Sequence, residues 1–261
     1  MSALFFDIDG TILSEITHEI PESALVALRK AQENGHKTFI NTGRTICSVP
    51  PMIKRIPFDG FLCGCGTHLV YEERVVFHHS IPYERGRRII KSMKDCKVEG
   101  FLEGTEDIYY SNRISRLESV ESSRRYMAGL GLWREQSMED TGYDFDKILI
   151  YIDKIADEER FFKETEDVFK HIDRLGGVYE CVQKEYSKAT AIAYIKKELA
   201  LQDDEIYAFG DSSNDFDMIK AAGHGVIMGH HDPVLEPYAE YITDTVENDG
   251  LYKAMEHYGL I

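Results

Sequence analysis

The chain has 261 residues, 46 acidic against 30 basic, a formal net charge of −16 and 43% hydrophobic residues, the profile of a soluble globular protein with room for one large core or two modest ones. Its acidic balance excludes a nucleic-acid partner, which needs a basic stripe, but leaves room for a small phosphorylated ligand received by local cations. No run is long enough to span a bilayer, the N-terminus has no leader-like pattern, and Cys47, Cys63, Cys65, Cys96 and Cys181 form no regular framework, so a reduced, cytoplasmic setting with no membrane partner is expected.

The first 80 residues alternate strand and helix. An apolar run over 3–8 predicts a strand ending in Asp7-Ile8-Asp9-Gly10-Thr11. Pro21-Glu22 opens a helix through Gln32, with Ala24, Leu25, Leu28 and Ala31 on one face and Gly35 as its stop. A strand over 37–41 ends at Thr42-Gly43-Arg44, a helix lies around 45–55 across Pro50-Pro51, and short strands follow at 61–62, 68–70 and 75–78. From 81 to 186 the grammar changes, with helices over 85–93, 118–130 and 157–171 and strands over 147–152 and 178–182. Residues 187–261 return to the first pattern: helix 188–199, strand 205–209 ending in Gly210-Asp211, helix 214–222, strands 225–228 and 241–243, and a closing helix 251–258. The expected class is α/β: a doubly wound parallel-sheet core built from 1–80 and 187–261, with 81–186 inserted as an α+β domain.

The chemistry sits where strands end. In an extended strand residues i and i+2 share a face, so Asp7 and Asp9 are expected to converge beyond its end. Two like charges that close are made tolerable by a divalent cation; the ordinary alternative is Asp-Gly turn chemistry. Thr42-Gly43 offers a hydroxyl beside a backbone N–H, which suits a phosphoryl oxygen at the carboxyl end of a parallel strand. Lys188 opens a helix against the preference of the macrodipole, which suggests an anionic partner. In Gly210-Asp211-Ser212-Ser213-Asn214-Asp215, Asp211 can complete an oxygen-rich site of the kind Mg²⁺ prefers with Asp7 and Asp9. Asn214 can donate to phosphate or hold a carboxylate, and Asp215 can ligate metal or orient Asn214 and Lys188; an N-cap cluster is the alternative.

In this order the four segments resemble the four motifs of the haloacid dehalogenase-like (HAD) phosphohydrolase superfamily, and the 81–186 insertion resembles the type-two cap of its Cof-type subfamily. The chain departs from the Cof-type pattern at Cys65-Gly66-Thr67 and at Glu185-Tyr186-Ser187 before Lys188, losing no catalytic group. The resemblance implies a HAD-like, Rossmannoid core and a Mg²⁺-dependent phosphatase for small phosphorylated metabolites, sugar phosphates first. It makes Asp7 the nucleophile that forms an aspartyl-phosphate and Asp9 the general acid and base. It assigns Mg²⁺ to the Asp7 carboxylate, the Asp9 carbonyl and Asp211, and phosphate to Thr42, the Gly43 N–H, Lys188 and Asn214. Thr11, Arg44 and Asp215 are supporting residues, Thr11 bracing the turn that aims Asp9, and the cap is expected to select the leaving group. A sugar phosphomutase of the same superfamily and a non-catalytic phosphometabolite-binding protein are the alternatives. The presence of both Asp7 and Asp9 favours an enzyme, and the sequence is silent on oligomeric state.

Overall fold

β1 (Ala3–Phe6) buries all its side chains, as a strand covered on both faces must. In the computed structural model, which describes residues 1–261, it lies inside the larger of two sheets. α1 (Glu22–Glu33) is entered from Pro21, buries Ala24, Ala27, Leu28 and Ala31, and is left through Gly35. β2 (Lys37–Asn41) runs parallel to β1. The helix expected over 45–55 does not form. A 3₁₀ turn over 46–48 and the single turn α2 (Pro51–Lys54) take its place, because two successive prolines remove N–H donors and force the preceding residue to be extended. β3 (Gly60–Cys63) is parallel to β2, β4 (His68–Tyr71) is antiparallel to β3, and β5 (Arg74–His78) lies at the sheet's edge.

The middle of the chain is a second body around an antiparallel sheet. Its elements are α3 (Tyr83–Asp95), β6 (Glu99–Glu103), β7 (Ile108–Tyr110), α4 (Glu118–Gly129), β8 (Lys147–Tyr151), α5 (Glu158–Thr165), β9 (Phe169–Asp173) and β10 (Val178–Gln183). The strands order as β7-β6-β8-β10-β9. The helix predicted over 157–171 stops at Thr165, and the residues from Phe169 onward pair with β10 instead. α3 and α5 pack together over a core that includes Ile89, Met93, Leu102, Ile148, Phe161 and Phe169.

The chain then returns through α6 (Lys188–Glu198), β11 (Ile206–Gly210), α7 (Phe216–Ala221), β12 (His224–Ile227), β13 (Tyr241–Ile242) and α8 (Gly250–His257). The larger sheet has the order β13-β12-β11-β1-β2-β3-β4-β5, parallel from β13 through β3. Ala3, Phe5, Phe39 and Ala208 pack under α6 and α7, and Phe5 stacks on Phe39 with centroids 5.1 Å apart. The alternate residues Leu4 and Phe6 point to the other face, and Phe6 stacks on Phe209 at 4.7 Å. α1 and α8 pack against each other. The fold class is thus α/β with a parallel sheet.

Two compact units result: Met1–Gly43, Met52–Phe77 and Ser187–Ile261 form one, Arg44–Pro51 and His78–Tyr186 the other. Residues 44–51 and 78–80, which the sequence boundaries put in the first unit, belong to the second. No helix is long and apolar enough to cross a membrane.

Candidate active site

Parallel pairing brings three chain segments to one end of the sheet. Phe6 is in register with Ile40 on one side and Phe209 on the other, so Asp7 emerges between Asn41 and Gly210. The Asp7 N–H donates to the Phe209 carbonyl at 3.0 Å, which fixes where β1 ends. Beyond it the chain turns: Ile8 stays buried, and its carbonyl accepts from the N–H groups of Thr11, Ile12 and Leu13 at 3.3, 3.0 and 2.9 Å.

That turn corrects one expectation. β1 stops at Phe6, so the rule that residues i and i+2 share a face of an extended strand does not carry over to Asp7 and Asp9. Asp7 is 4% exposed, whereas Asp9 is only half-buried. The carboxylates that gather are those of Asp7, Asp211 and Asp215, with ligand oxygens all within 4.8 Å of one another. The Asp9 carboxylate stands outside that group, although its charge is felt at Asp7.

Lys188 holds the cluster together. Ser187 caps α6 through a reciprocal box with Thr190, its hydroxyl accepting from the Thr190 N–H at 3.3 Å while the Thr190 hydroxyl accepts from the Ser187 N–H at 2.9 Å. A cap of this kind contributes about 1 kcal/mol and sets the direction in which the helix starts. Gly66, at φ +91°, lets the turn after β3 abut this cap; a Cβ there would lie 2.4 Å from the Ser187 carbonyl oxygen. Lys188, the first residue of α6, is 1% exposed and donates to Asp7 Oδ1 at 2.6 Å and Asp215 Oδ1 at 2.5 Å. An ammonium has three donors, so one is left for a ligand.

Asp215 is wholly buried, and its other oxygen accepts the N–H groups of Asp211 and Ser212, each at 3.0 Å. It therefore orients both Lys188 and the Asp211 loop, while Asn214 pairs elsewhere: its Oδ1 accepts from the Ser212 hydroxyl at 2.7 Å and its NH₂ is the donor end. Asp211 takes a hydrogen bond from the Thr11 hydroxyl at 3.1 Å. Thr11 thus braces Asp211, not the turn that aims Asp9. Gly10 is fixed by the same contact, since at φ +76° a Cβ would sit 2.4 Å from Asp211 Oδ2.

Thr42 and Gly43 follow directly on β2, both buried; the Thr42 N–H donates to the Leu62 carbonyl at 2.8 Å and its carbonyl accepts from the Cys65 N–H at 3.1 Å. Arg44, next in sequence, donates from its guanidinium to the Ser48 carbonyl at 3.2 Å, and its charge acts on Glu103. Sequence reading gave no role to Asn41, a wholly buried amide at the end of β2 whose Nδ2 donates to the Lys188 carbonyl at 3.0 Å.

The electrostatics describe an unbalanced site. Burial raises the Asp7 pKa to about 7 against the pull of Lys188, with repulsion from Asp215 and Asp9 adding to the rise. Burial and the charges of Asp7 and Asp215 push Asp211 up to about 9. Burial would lower Lys188, but attraction from Asp215 and Asp7 outweighs it and its pKa is raised. Three buried carboxylates against one ammonium leave a deficit of positive charge, and the donors are all oxygen. That set fits a hard divalent cation, for which Asp7 and Asp211 are the less completely buried carboxylates and Asp215 is already occupied by Lys188 and two N–H groups.

A Rossmann-like parallel sheet with paired acids and a lysine at the carboxyl ends of its strands defines a class, the α/β enzymes that handle anionic groups through side chains at a topological switch point. The family follows from the chain itself: residues 4–255 match the model of the haloacid dehalogenase-like hydrolases, and the protein belongs to that family of enzymes. A Bacillus subtilis (strain 168) protein provisionally named a phosphatase, YkrA, is 28% identical, the match covering 99% of this chain and 98% of that one. Among solved structures, BT1666 from Bacteroides thetaiotaomicron, titled among the HAD phosphatases, is 28% identical with a TM-score of 0.83, covering 100% of this chain and 96% of the other. BT4131, titled a sugar phosphatase of HAD subclass IIB, is 26% identical with a TM-score of 0.84 over 100% of both chains.

Proposed function

We propose that this hydrolase is a Mg²⁺-dependent phosphatase that cleaves small phosphate monoesters, sugar phosphates foremost, through an aspartyl-phosphate on Asp7. The observation that carries the reading is the fixed Asp7 carboxylate: Lys188 holds Oδ1 and leaves Oδ2 as the oxygen with no protein partner. A nucleophile buried beside an ammonium that has one more donor to give is arranged for an incoming dianion. BT4131's description as a sugar phosphatase points to the substrate class.

Asp7 and Asp211, with the Asp9 carbonyl, would hold the Mg²⁺, and when bound it supplies charge that offsets repulsion between a carboxylate nucleophile and a phosphate dianion. Asp7 attacks phosphorus, and the bond to the ester oxygen breaks. Asp9, half-buried and outside the carboxylate cluster, donates its proton to that departing oxygen. It then takes a proton from the water that attacks the phosphorus of the aspartyl-phosphate, releasing inorganic phosphate and restoring Asp7. Lys188, Thr42, the Gly43 N–H and the Asn214 amide share the charge of the non-bridging oxygens.

A panel of phosphate esters assayed for free phosphate with and without chelator tests this. Sugar phosphates should release phosphate in Mg²⁺ and fall to background in EDTA. Release untouched by EDTA would remove the metal from the account, and conversion of a sugar phosphate into its isomer without free phosphate would make the enzyme a mutase.

A further inference from the structure

We infer that Asn41 is a positioning residue for Lys188, retained at a cost in stability so that the ammonium lies where the transferred phosphoryl group needs it. The inference rests on the phosphoryl-transfer reading above. Asn41 is the last residue of β2, wholly buried, and sits directly before Thr42. Its Nδ2 donates to the Lys188 backbone carbonyl at 3.0 Å and lies 3.5 Å from Met218 Sδ. Its Oδ1 is buried with no donor in the protein within hydrogen-bond reach. Turning the amide over would set two carbonyl oxygens against each other, so the orientation is fixed by the one bond it makes.

That bond is not needed to satisfy Lys188. The carbonyl of a first helical residue already receives the N–H four positions on. An apolar side chain at position 41 would leave no buried group worse off and would remove the stranded acceptor, which is the usual circumstance in which a polar core residue is dispensable. What the amide does supply is a tie between the end of β2 and the backbone atom from which the Lys188 side chain departs. That side chain spans to Asp7 at 2.6 Å and Asp215 at 2.5 Å with nothing else to steady it, so a shift of the first turn of α6 moves the charge directly. Misplacement of a charge by about 1 Å costs up to about a hundredfold in rate.

The test uses Asn41→Leu, which keeps the branched shape, and Asn41→Ala, which guards against crowding. Each is assayed with the best sugar phosphate in Mg²⁺ and melted alongside wild type. Expected is kcat lower by about tenfold, KM changed by less than about twofold, and, for at least one variant, a melting temperature equal to or above wild type. A residue that merely supports the fold would lose stability and activity together in both variants, and that result overturns the inference, as does unchanged kcat in both. If wild type releases no phosphate from any ester, the functional reading falls and takes this inference with it. Active wild type with unaffected variants overturns the inference alone.

Discussion

Asp7→Asn is expected to lower kcat by about 10⁴-fold or more while the protein stays folded. The substitution keeps the size of the side chain and the oxygen that faces Lys188, but an amide cannot attack phosphorus, and only the background rate of a charged pocket remains. The physical environment makes a second outcome follow. Asp7 is one of three buried carboxylates within 4.8 Å of one another, and its own pKa, pushed to about 7 by burial ahead of its neighbours' charges, records how poorly its charge is accommodated. Removing that charge relieves Asp211 and Asp215, so in chelator at neutral pH the variant should melt no lower than wild type. Activity and stability thus move independently, a pattern common where a site is built for chemistry at the expense of its own stability. Activity within tenfold of wild type would end the covalent account.

Lys188→Met should show the opposite coupling, with both quantities falling. The side chain is 1% exposed and is the cation that pairs with Asp7 and Asp215. Taking one partner from a buried ion pair while leaving the other charged costs about 3–5 kcal/mol, more than the net contribution of the pair itself. Here two carboxylates are deprived at once, and part of the loss is recovered only if they take up protons. A lost donor to the transferred group lowers kcat by about 10²–10³-fold in addition. Mg²⁺ should raise the melting temperature of this variant by more than it raises that of wild type, because the remaining carboxylates then lack any other counter-charge, yet the rate should not recover. Melting like wild type in chelator would show that Lys188 does not hold the cluster. Methionine serves better than alanine here because it fills the same buried volume.

Residue patterns reported the site's position better than its internal wiring. Asp7 and Asp211 each follow a run that reads as a buried strand, Thr42 follows a third predicted strand, and parallel strands put such ends side by side. The wiring depends on which way a turn closes. Asp7-Ile8-Asp9 reads as a continued strand until the three N–H groups that converge on Ile8 are seen, and the third carboxylate grouped with Asp7 and Asp211 is that of Asp215. Thr11 shows the same limit: a hydroxyl near a motif has several partners in reach, and Asp211 is the one it meets. In the second unit, β6 was hidden because its sequence, Glu99-Gly100-Phe101-Leu102-Glu103, carries acids at both ends. Glu99 is buried by pairing with Arg113 at 2.7 Å and with Arg116, and Glu103 lies beside Lys147 at 3.6 Å. Asn41 carried a signal of its own, an amide where the strand's other inward residues are apolar or small, yet nothing in sequence separates a strand-ending Asn from one that grips a distant helix.

The direct test of the central claim is the stereochemistry at phosphorus, followed with a sugar phosphorothioate ester whose phosphorus is made chiral by sulfur and one heavy oxygen isotope and whose hydrolysis occurs in water carrying the third oxygen isotope. Transfer first to Asp7 and then to water inverts the centre twice, so the account predicts inorganic thiophosphate of retained configuration. A single inversion would mean that water attacks the ester directly, and Asp7 would then have no covalent part in the reaction.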